Sequence, residues 1–297
     1  ASVYGLMGAR GVYAASDAVT RQDFRRYVES RNLSAEFPGV RGLGFIQRVQ
    51  RADLSTFILS EQADGMPDFG VRSIGETRDD LYVIKYIEPM ARNRPALGLD
   101  VGSEPVRREG AERAARTGEA ALSGVIELVQ DDQSRPGFLI FVPVYRRGMS
   151  LNTPEERLAA LHGLTYSPIV LEEILQPSLT LLRTSGLNIQ ISDKPIVEGG
   201  QSLFETGSVS QKSLLSGEVP IFSHGTRLFI RAQSTPALET SANTLAVYGL
   251  GAAGALLSTL LCWVLWLQAT GRIRAEVRAQ QMTLELQKLA MVAERTA

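Results

Sequence analysis

Carboxylates, histidines and hydroxyls are the side chains that can carry catalysis in this chain of 297 residues. Glu88 and Asp100 can be drawn as a general acid and base, but no spacing fixes their separation, and such carboxylates more often cap helices or pair with arginine. His162 and His224 lie far apart without a nearby cysteine, which excludes a spacing typical of metal ligands. The sequence shows no Ser-His-Asp set and no phosphate-binding glycine loop. It therefore predicts a binding protein without catalytic residues, metal or cofactor.

The composition is that of a folded domain without a strongly charged partner. Hydrophobic residues make up 44% of the chain, charged residues make up 21%, and the formal net charge is −1. This balance gives no support for nucleic acid binding or for a polybasic membrane surface. Cys262 is the sole cysteine, so no disulfide can form within one chain.

An uncharged segment runs from Thr240 to Gly271. Its inner part, residues 245–267, is long enough to cross a hydrocarbon core of about 30 Å as a helix. Trp263 and Trp266 lie at one end, where interfacial aromatic residues are common. The segment predicts one transmembrane helix.

Charge around this segment predicts its orientation. Arg272, Arg274 and Arg278 follow the span, and the positive-inside rule therefore places the C-terminus in the cytoplasm. Residues before 245 would then be periplasmic or extracellular. The span would anchor them to the bacterial cell membrane. Because the chain begins at Ala1 without methionine, we expect a further membrane helix or signal segment upstream.

The first part of the chain predicts an α+β unit. Apolar residues at helical spacing predict one long helix over Ala1–Leu33, and Phe37-Pro38-Gly39 would end it because proline lacks an amide donor. Alternation predicts a strand over Leu81–Glu88 with Tyr82 and Tyr86 on the same face. The remaining elements of this unit are a strand at Val40–Val49, a short helix at Arg51–Glu61, a helix at Glu104–Thr117 that Gly118 ends, and strands at Gly124–Gln130 and Gly137–Tyr145.

A second, smaller α+β unit is predicted after the loop Arg147–Glu156. Its predicted elements are a helix at Pro168–Gln176 and strands at Leu161–Tyr166, Leu187–Ser192, Ser202–Glu205, Val219–Ser223 and Arg227–Gln233. The predicted domains are a stalk helix (1–35), a membrane-distal unit (36–147), a membrane-proximal unit (148–240), the transmembrane helix (245–267) and a cytoplasmic helix (268–297).

The cytoplasmic segment has apolar residues at alternating spacings of four and three. This heptad seam favours a parallel dimeric coiled coil, with an ordinary surface helix as the alternative. The seam consists of Ala275, Ala279, Met282, Leu286, Leu289 and Ala293.

Four segments of the membrane-distal unit form an ordered set. They are Phe37–Ile46 (FPGVRGLGFI), Tyr86–Pro89 (YIEP) with Asn93 and Leu97–Asp100 (LGLD), Arg107-Arg108 with Ala114–Gly118 (AARTG), and Pro136–Tyr145 (PGFLIFVPVY). Together they resemble the CHASE family, the extracellular sensory domains of bacterial cyclases and histidine kinases and of plant cytokinin receptors. The resemblance implies a stalk helix, a distal PAS-like subdomain that holds the ligand, and a proximal PAS-like subdomain. Lys288–Ala297 is similar to the lead-in helix of a cytoplasmic PAS domain, which implies an output domain downstream.

Two positions depart from the plant members of the family. There, an aspartate at the start of the distal helix contacts adenine and a threonine lines the pocket, whereas the motifs place Arg107 and Phe141 at these positions. A guanidinium has no acceptor and a phenyl ring reshapes a cavity, so we expect no cytokinin. Arg107 suits a carboxylate or phosphate instead. The alternative is that Arg107 or Arg108 pairs internally with Glu104, Asp100 or a neighbouring carbonyl.

The predicted ligand-binding residues are Tyr82, Tyr86, Arg107, Arg108, Val129, Phe141 and Tyr145. The aromatic residues among them equally suit a core. The predicted function is the periplasmic ligand-sensing and signal-transducing region of a bacterial receptor that controls a diguanylate cyclase, phosphodiesterase or histidine kinase. Its predicted partners are a small-molecule ligand, with anions among the candidates, membrane lipid, and a second copy of the chain. A membrane-tethered scaffold that binds another protein is the alternative.

Overall fold

The computed structural model describes residues 2–16, 18–131, 133–207, 213–241 and 248–267. The chain divides into two compact units, Ala1–Pro236 and Ala237–Ala297. The described residues combine helices with two β-sheets, which confirms the predicted α+β class.

The elements of the first unit alternate along the chain. Its helices are α1 (Ser2–Ala15), α2 (Arg21–Glu29), α3 (Leu33–Glu36), α4 (Leu54–Ala63), α5 (Met90–Asn93), α6 (Pro105–Thr117), α7 (Pro154–Ala160), α8 (Leu171–Leu175) and α9 (Leu179–Thr184). Its strands are β1 (Leu43–Gln50), β2 (Arg72–Ser73), β3 (Asp80–Glu88), β4 (Leu99–Asp100), β5 (Ala121–Leu122), β6 (Ile126–Glu127), β7 (Pro136–Tyr145), β8 (Leu161–Val170), β9 (Leu187–Ser192), β10 (Ser202–Glu205), β11 (Ser216–Ser223) and β12 (Thr226–Ser234).

The N-terminal region contains separate helices where the sequence analysis predicted one. α1 ends at Ala15 and a new helix begins after Thr20, so the prediction of a single helix over Ala1–Leu33 is wrong. Thr20 caps α2, because its Oγ1 accepts from the amide of Asp23 and the Asp23 carboxylate accepts from the amide of Thr20, each over 3.2 Å. This reciprocal pair satisfies two amides at the start of α2.

The first sheet is mainly antiparallel and has the order β2-β4-β3-β1-β8-β7-β5, with β6 also paired to β7. β8 lies between β1 and β7, with Thr165 opposite Phe45 and Tyr166 opposite Phe141. The sequence analysis assigned β8 to the second unit, but nearly all of its residues are buried inside the first sheet. The predicted boundary between 147 and 148 therefore does not separate the sheets, because the loop there joins adjacent strands.

The second sheet is antiparallel, in the order β10-β9-β12-β11. Its strands lie where the sequence predicts them. Ile191, Leu203 and Leu228 from this sheet belong to the same buried cluster as Ile140 and Val142 of β7. The two sheets therefore share apolar core.

Helix α10 (Pro236–Ser241) begins at the last residue of the first unit, and α11 (Tyr248–Leu267) belongs to the second unit. α11 has 20 residues and is long and apolar enough to cross a membrane. Its side chains are exposed, as expected for lipid contact rather than for a soluble core. Residues 245–247 of the predicted span and the predicted helix 268–297 lie outside the described residues.

Candidate functional site

A small, partly open cavity lies between the first sheet and α6. Its walls include Ile84 of β3, Leu139 of β7, Tyr166 of β8 and Arg107 of α6. The other lining residues are Ala96, Leu99, Val101, Leu128, Val129 and Gln130. The cavity volume is about 10 Å³, close to the minimum that holds one water molecule.

Helix α6 forms one wall of the cavity. Its two ends are fixed by capping residues, and a glycine on its inner face allows close packing. The carboxylate of Glu104 accepts hydrogen bonds from the amides of Val106 and Arg107, both at 2.9 Å. Gly118 ends the helix in the left-handed conformation, with φ of +79°. Gly110 lets the helix approach the sheet, since a Cβ there would lie 2.7 Å from Cα of Ser123.

Arg107 is directed into the protein and has internal partners. Only 6% of the surface of Arg107 is exposed. Nη1 lies 3.3 Å from Oε2 of Glu104, and Nη2 donates to the carbonyl of Glu127 over 2.6 Å. Burial lowers the pKa of this guanidinium while Glu104 opposes the shift. The structure therefore realises the internal pairing of Arg107, and the side chain still borders the cavity.

Arg108 lies on the neighbouring side of α6, outside the cavity wall. Its Nε donates to Oε1 of Glu112 over 2.7 Å, and Nη1 donates to the carbonyl of Asp80 over 3.0 Å. The guanidinium carbon lies 5.1 Å from the ring centroid of Tyr82, within the range of a cation–π contact. Arg108 thus holds α6 against β3.

Tyr82 and Tyr86 lie on opposite faces of the first sheet, so the predicted shared face is wrong. The ladder between β1 and β3 shifts at Lys85, which has no partner between the pairs Tyr86–Phe45 and Ile84–Ile46. A bulge of one residue reverses the alternation of side chains. Tyr82 consequently packs in the α6-side core, and Tyr86 packs under α2.

Tyr86 is engaged in polar contacts far from the cavity. Its hydroxyl donates to Oδ2 of Asp64 over 2.9 Å and lies 3.0 Å from the carbonyl of Val19. The guanidinium carbon of Arg21 lies 4.9 Å from the ring centroid. Tyr86 therefore stabilises the packing of α2 on the sheet and does not line the cavity.

The other three predicted residues lie on the α6 side of the sheet. Phe141 is fully buried in the core under α6, and the Tyr145 hydroxyl donates to the carbonyl of Ala115 over 2.6 Å. Val129 lines the cavity and is 37% exposed. Of the seven predicted residues, the structure brings Arg107 and Val129 to the cavity wall.

Tyr166 also lines the cavity, but the sequence analysis did not predict it as a ligand-binding residue. It is fully buried. The assignment of β8 to a separate unit concealed it. The sequence of β8, LHGLTYSPIV, contains histidine, threonine, serine and proline, so it lacks the continuous apolar run that would have indicated a strand buried on both faces.

The cavity roof is the segment Leu128–Gln130, and charged residues tie it to other elements. Asp131 follows the roof directly, and its side chain is 3% exposed. Arg135 Nη2 lies 3.0 Å from Asp131 Oδ1 and 3.0 Å from Glu173 Oε1. Arg41 contacts the same two carboxylates, at 2.9 Å from Asp131 and 2.6 Å from Glu173. We call Arg41, Asp131, Arg135 and Glu173 the roof ion cluster.

The charges of this cluster are strongly coupled. The hydrogen bond from Arg135 lowers the pKa of Asp131 to about 2. Arg41 and Arg135 also lower the pKa of Glu173 against the opposing effect of burial. The cluster joins the roof to α8, which follows the central strand β8. A surface groove of about 520 Å³ lies alongside and shares Gln130 with the cavity.

The carboxylates considered for acid and base chemistry have structural partners. Glu88 accepts from Nε of Arg25 at 3.0 Å and from the amide of Met90 at 2.9 Å. Asp100 Oδ1 accepts from the amides of Tyr82 and Gly102, both at 2.9 Å. Burial raises the pKa of Asp100. Within the described residues, no group of histidine, cysteine and carboxylate side chains is arranged for a metal ion.

The sequence matches the CHASE domain family over residues 17–204, which is more than half of the chain. The chain belongs to this family. CHASE domains are extracellular sensory domains rather than catalytic ones, and the chain therefore contains an extracellular sensory domain.

Among solved structures, the fold is similar to an extracellular ligand binding receptor from Desulfohalobium retbaense DSM5692, at 10% sequence identity and a TM-score of 0.47. The similarity covers 78% of this chain and 36% of the receptor chain, so this chain spans about a third of that protein. No curated protein matches the chain.

Proposed function

We propose that this chain is the ligand-sensing and signal-transmitting region of a bacterial transmembrane receptor, and that its ligand is a small molecule held between the first sheet and α6. One observation carries the proposal. The domain that matches the sensory family contains a small, partly open cavity whose roof is tied by the ion cluster to α8. Mainly apolar spaces with a few polar groups are the usual form of small-molecule sites, at about 300–1,000 Å³, so this cavity would have to widen to hold a ligand.

Occupancy of the cavity would change the position of the roof. A ligand larger than one water molecule needs more room than 10 Å³, and the close-packed walls of β3, β7 and β8 resist expansion. The roof is the more adaptable wall, because Val129 is partly exposed. A displaced roof would move Asp131 and, through its ion pair, Arg135. Because Arg135 also contacts Glu173, the position of α8 would change as well.

α8 connects this change to the second sheet. Leu171 and Leu175 of α8 pack in the same apolar cluster as Leu203 of β10. A shift of α8 would therefore alter the packing of the second sheet, which the chain leaves at Ser234 on its way to α11. Signalling requires the ligand to bind one of the two arrangements more tightly than the other.

The proposal also covers how the chain crosses the membrane. α11 would be the transmembrane helix, with the arginines after residue 271 in the cytoplasm and the first unit outside. The two sheets would belong to distal and proximal PAS-like subdomains. A homodimer would bring two such helices together, and the full-length protein would carry a cyclase, phosphodiesterase or histidine kinase after the cytoplasmic helix.

Filling the cavity tests the proposed function. Ala96 is buried and lines the cavity, so Ala96→Leu would occupy the space. The exposed Ala52 provides the matched control Ala52→Leu. We expect thermal-shift screening of the full chain in lipid nanodiscs with organic acids, nucleobases and phosphorylated metabolites to find a compound that raises the melting temperature. Ala96→Leu should weaken its binding by about tenfold or more, whereas unchanged binding would contradict the site.

A protein-binding scaffold is the second candidate function, and exposed apolar side chains favour it. Val219 and Phe222 on the edge strand β11 are 62% and 70% exposed. Exposed apolar residues on a strand edge are typical of contact with another protein. A protein partner that is released by Phe222→Ser, together with a failed compound screen, would support this candidate instead.

A further inference from the structure

Tyr166 combines burial, an unpaired hydroxyl and a place in the cavity wall. The residue is fully buried, and its hydroxyl has no hydrogen-bond partner among the residues that the structure describes. Its ring packs on the backbone of Gly44, where a Cβ would lie 2.3 Å from Cε1 of Tyr166. Gly44 therefore makes room for the tyrosine ring, and within the described part of the chain the hydroxyl of that ring has no acceptor.

The other tyrosines of the first unit divide into those with paired hydroxyls and those with unpaired ones. The hydroxyls of Tyr27, Tyr86 and Tyr145 all donate to oxygens of the protein at 2.6–3.0 Å. Tyr13 and Tyr82 also have buried hydroxyls without a partner in the described part of the chain, but neither residue lines the cavity. A buried hydroxyl normally has a partner, and of these three tyrosines Tyr166 is the one that lines the cavity.

The charges around the cavity limit the kind of molecule that fits. The lining residues other than Arg107, Gln130 and Tyr166 are apolar. Arg107 is already paired with Glu104 and with the carbonyl of Glu127. A ligand carboxylate would have to compete with the Glu104 carboxylate for the same guanidinium, whereas a neutral acceptor needs no charge partner. Burial raises the pKa of Tyr166, so its hydroxyl remains a donor.

We propose that Tyr166 determines specificity in this cavity, and that the ligand is a small, neutral, mainly apolar molecule with one hydrogen-bond acceptor for the Tyr166 hydroxyl. This inference rests on the proposed function, since it names the chemical class of the ligand for the same site. It replaces the anion that the sequence analysis favoured for Arg107.

The first test compares two tyrosine variants of the full chain without added ligand. Tyr145→Phe removes a hydroxyl with a protein acceptor and should lower the melting temperature by about 2–4 °C. Tyr166→Phe removes a hydroxyl without one and should leave the melting temperature equal to that of the wild type or raise it. A decrease in Tyr166→Phe as large as that in Tyr145→Phe would overturn the inference, because the hydroxyl would then have a partner within the protein.

The second test uses three probes that share one ring size: cyclopentanone, cyclopentane and cyclopentanecarboxylate. We expect cyclopentanone to raise the melting temperature of the wild-type chain more than the other two probes do. Tyr166→Phe should remove the advantage of cyclopentanone over cyclopentane. Equal shifts for all probes, a larger shift for the carboxylate, or no shift for any probe would each overturn the proposed ligand class.

The Ala96→Leu variant separates this inference from the proposed function. If Ala96→Leu abolishes binding while Tyr166→Phe leaves the preference for the ketone unchanged, the cavity is the site and Tyr166 does not determine specificity. If Ala96→Leu leaves the shifts unchanged, the cavity itself is not the site, and both proposals fail.

Discussion

At the scale of single residues, sequence reasoning identified the side chains of interest more readily than their partners. Arg107 was selected from its position at the start of α6, and Glu104 three residues earlier was a visible candidate partner. The carbonyl of Glu127, its second acceptor, is supplied by a strand twenty residues away in the sequence. Tertiary pairing of this kind leaves no local pattern, which is why the role of Arg107 could not be decided from the sequence.

We expect Arg107→Gln to destabilise the protein. The change removes the donor to Glu127 and leaves the Glu104 carboxylate with the helix amides alone, so the free energy of unfolding should fall by about 1–3 kcal/mol. Urea denaturation of the first unit within the full chain measures this effect. The exposed Arg92→Gln is the control and should change stability by less than about 0.5 kcal/mol. A stable Arg107→Gln variant would contradict the internal pairing.

Tyr82 and Tyr86 show a second limit at this scale. A strict period of two places them on one face, but a single unpaired residue, Lys85, reverses the pattern. The bulge depends on pairing with β1 and cannot be deduced from the residues of β3 alone. The predicted site consequently included one residue from the wrong face.

At the scale of secondary structure elements, local signals were reliable where end residues specify the boundary. α6 begins at Pro105 and ends before Gly118, as its sequence predicts. The break between α1 and α2 also had a local signal, since Thr20 and Asp23 have the spacing of a capping box. The apolar periodicity continues across the break and led to the prediction of one helix. The capping pattern was therefore the better guide to this boundary.

The roof ion cluster predicts a specific dependence of stability on pH. The pKa of Asp131 is lowered to about 2 in the folded protein, compared with about 3.9 in an unfolded chain. Its contribution is therefore fully present above about pH 4 and is lost as the pH falls towards 2. We expect Asp131→Asn to lower the free energy of unfolding at pH 7 by about 1–2 kcal/mol.

Comparison with the wild type across pH isolates this contribution. The stability difference between wild type and Asp131→Asn should shrink as the pH is lowered from 5 to about 2. Asp53→Asn, which changes an exposed carboxylate, is the control and should show little difference at any pH. A difference for Asp131→Asn that does not depend on pH would show that the cluster does not act through the charge of Asp131.

At the scale of the whole molecule, the sequence predicted the mixed class and the apolar C-terminal helix, and it misplaced a boundary. The loop before Pro154 looked like a linker because it is polar, yet β8 returns from it to the centre of the first sheet. Sheet order is set by long-range pairing, so a hairpin loop and a domain linker can have the same local composition. This error also hid Tyr166, and with it the most informative residue of the cavity.

The same topology gives the receptor its proposed internal connection. β8 carries a cavity residue and leads directly into α8, which bears Glu173 of the roof ion cluster. The second sheet follows along the chain and packs against α8. The proposed sensing site and the second sheet are thus joined by covalent continuity, by the ion pairs to α8 and by shared apolar core.

Hydrogen–deuterium exchange of the full chain in nanodiscs, with and without a compound that raises its melting temperature, tests this account most directly. We predict slower exchange in the roof segment and α6, with a simultaneous change in α8 and β10. The same compound should produce none of these changes in the Ala96→Leu variant. Protection confined to another surface, or protection of the cavity walls without any change in α8 and β10, would contradict the claim that this cavity senses the ligand and transmits its binding to the second sheet.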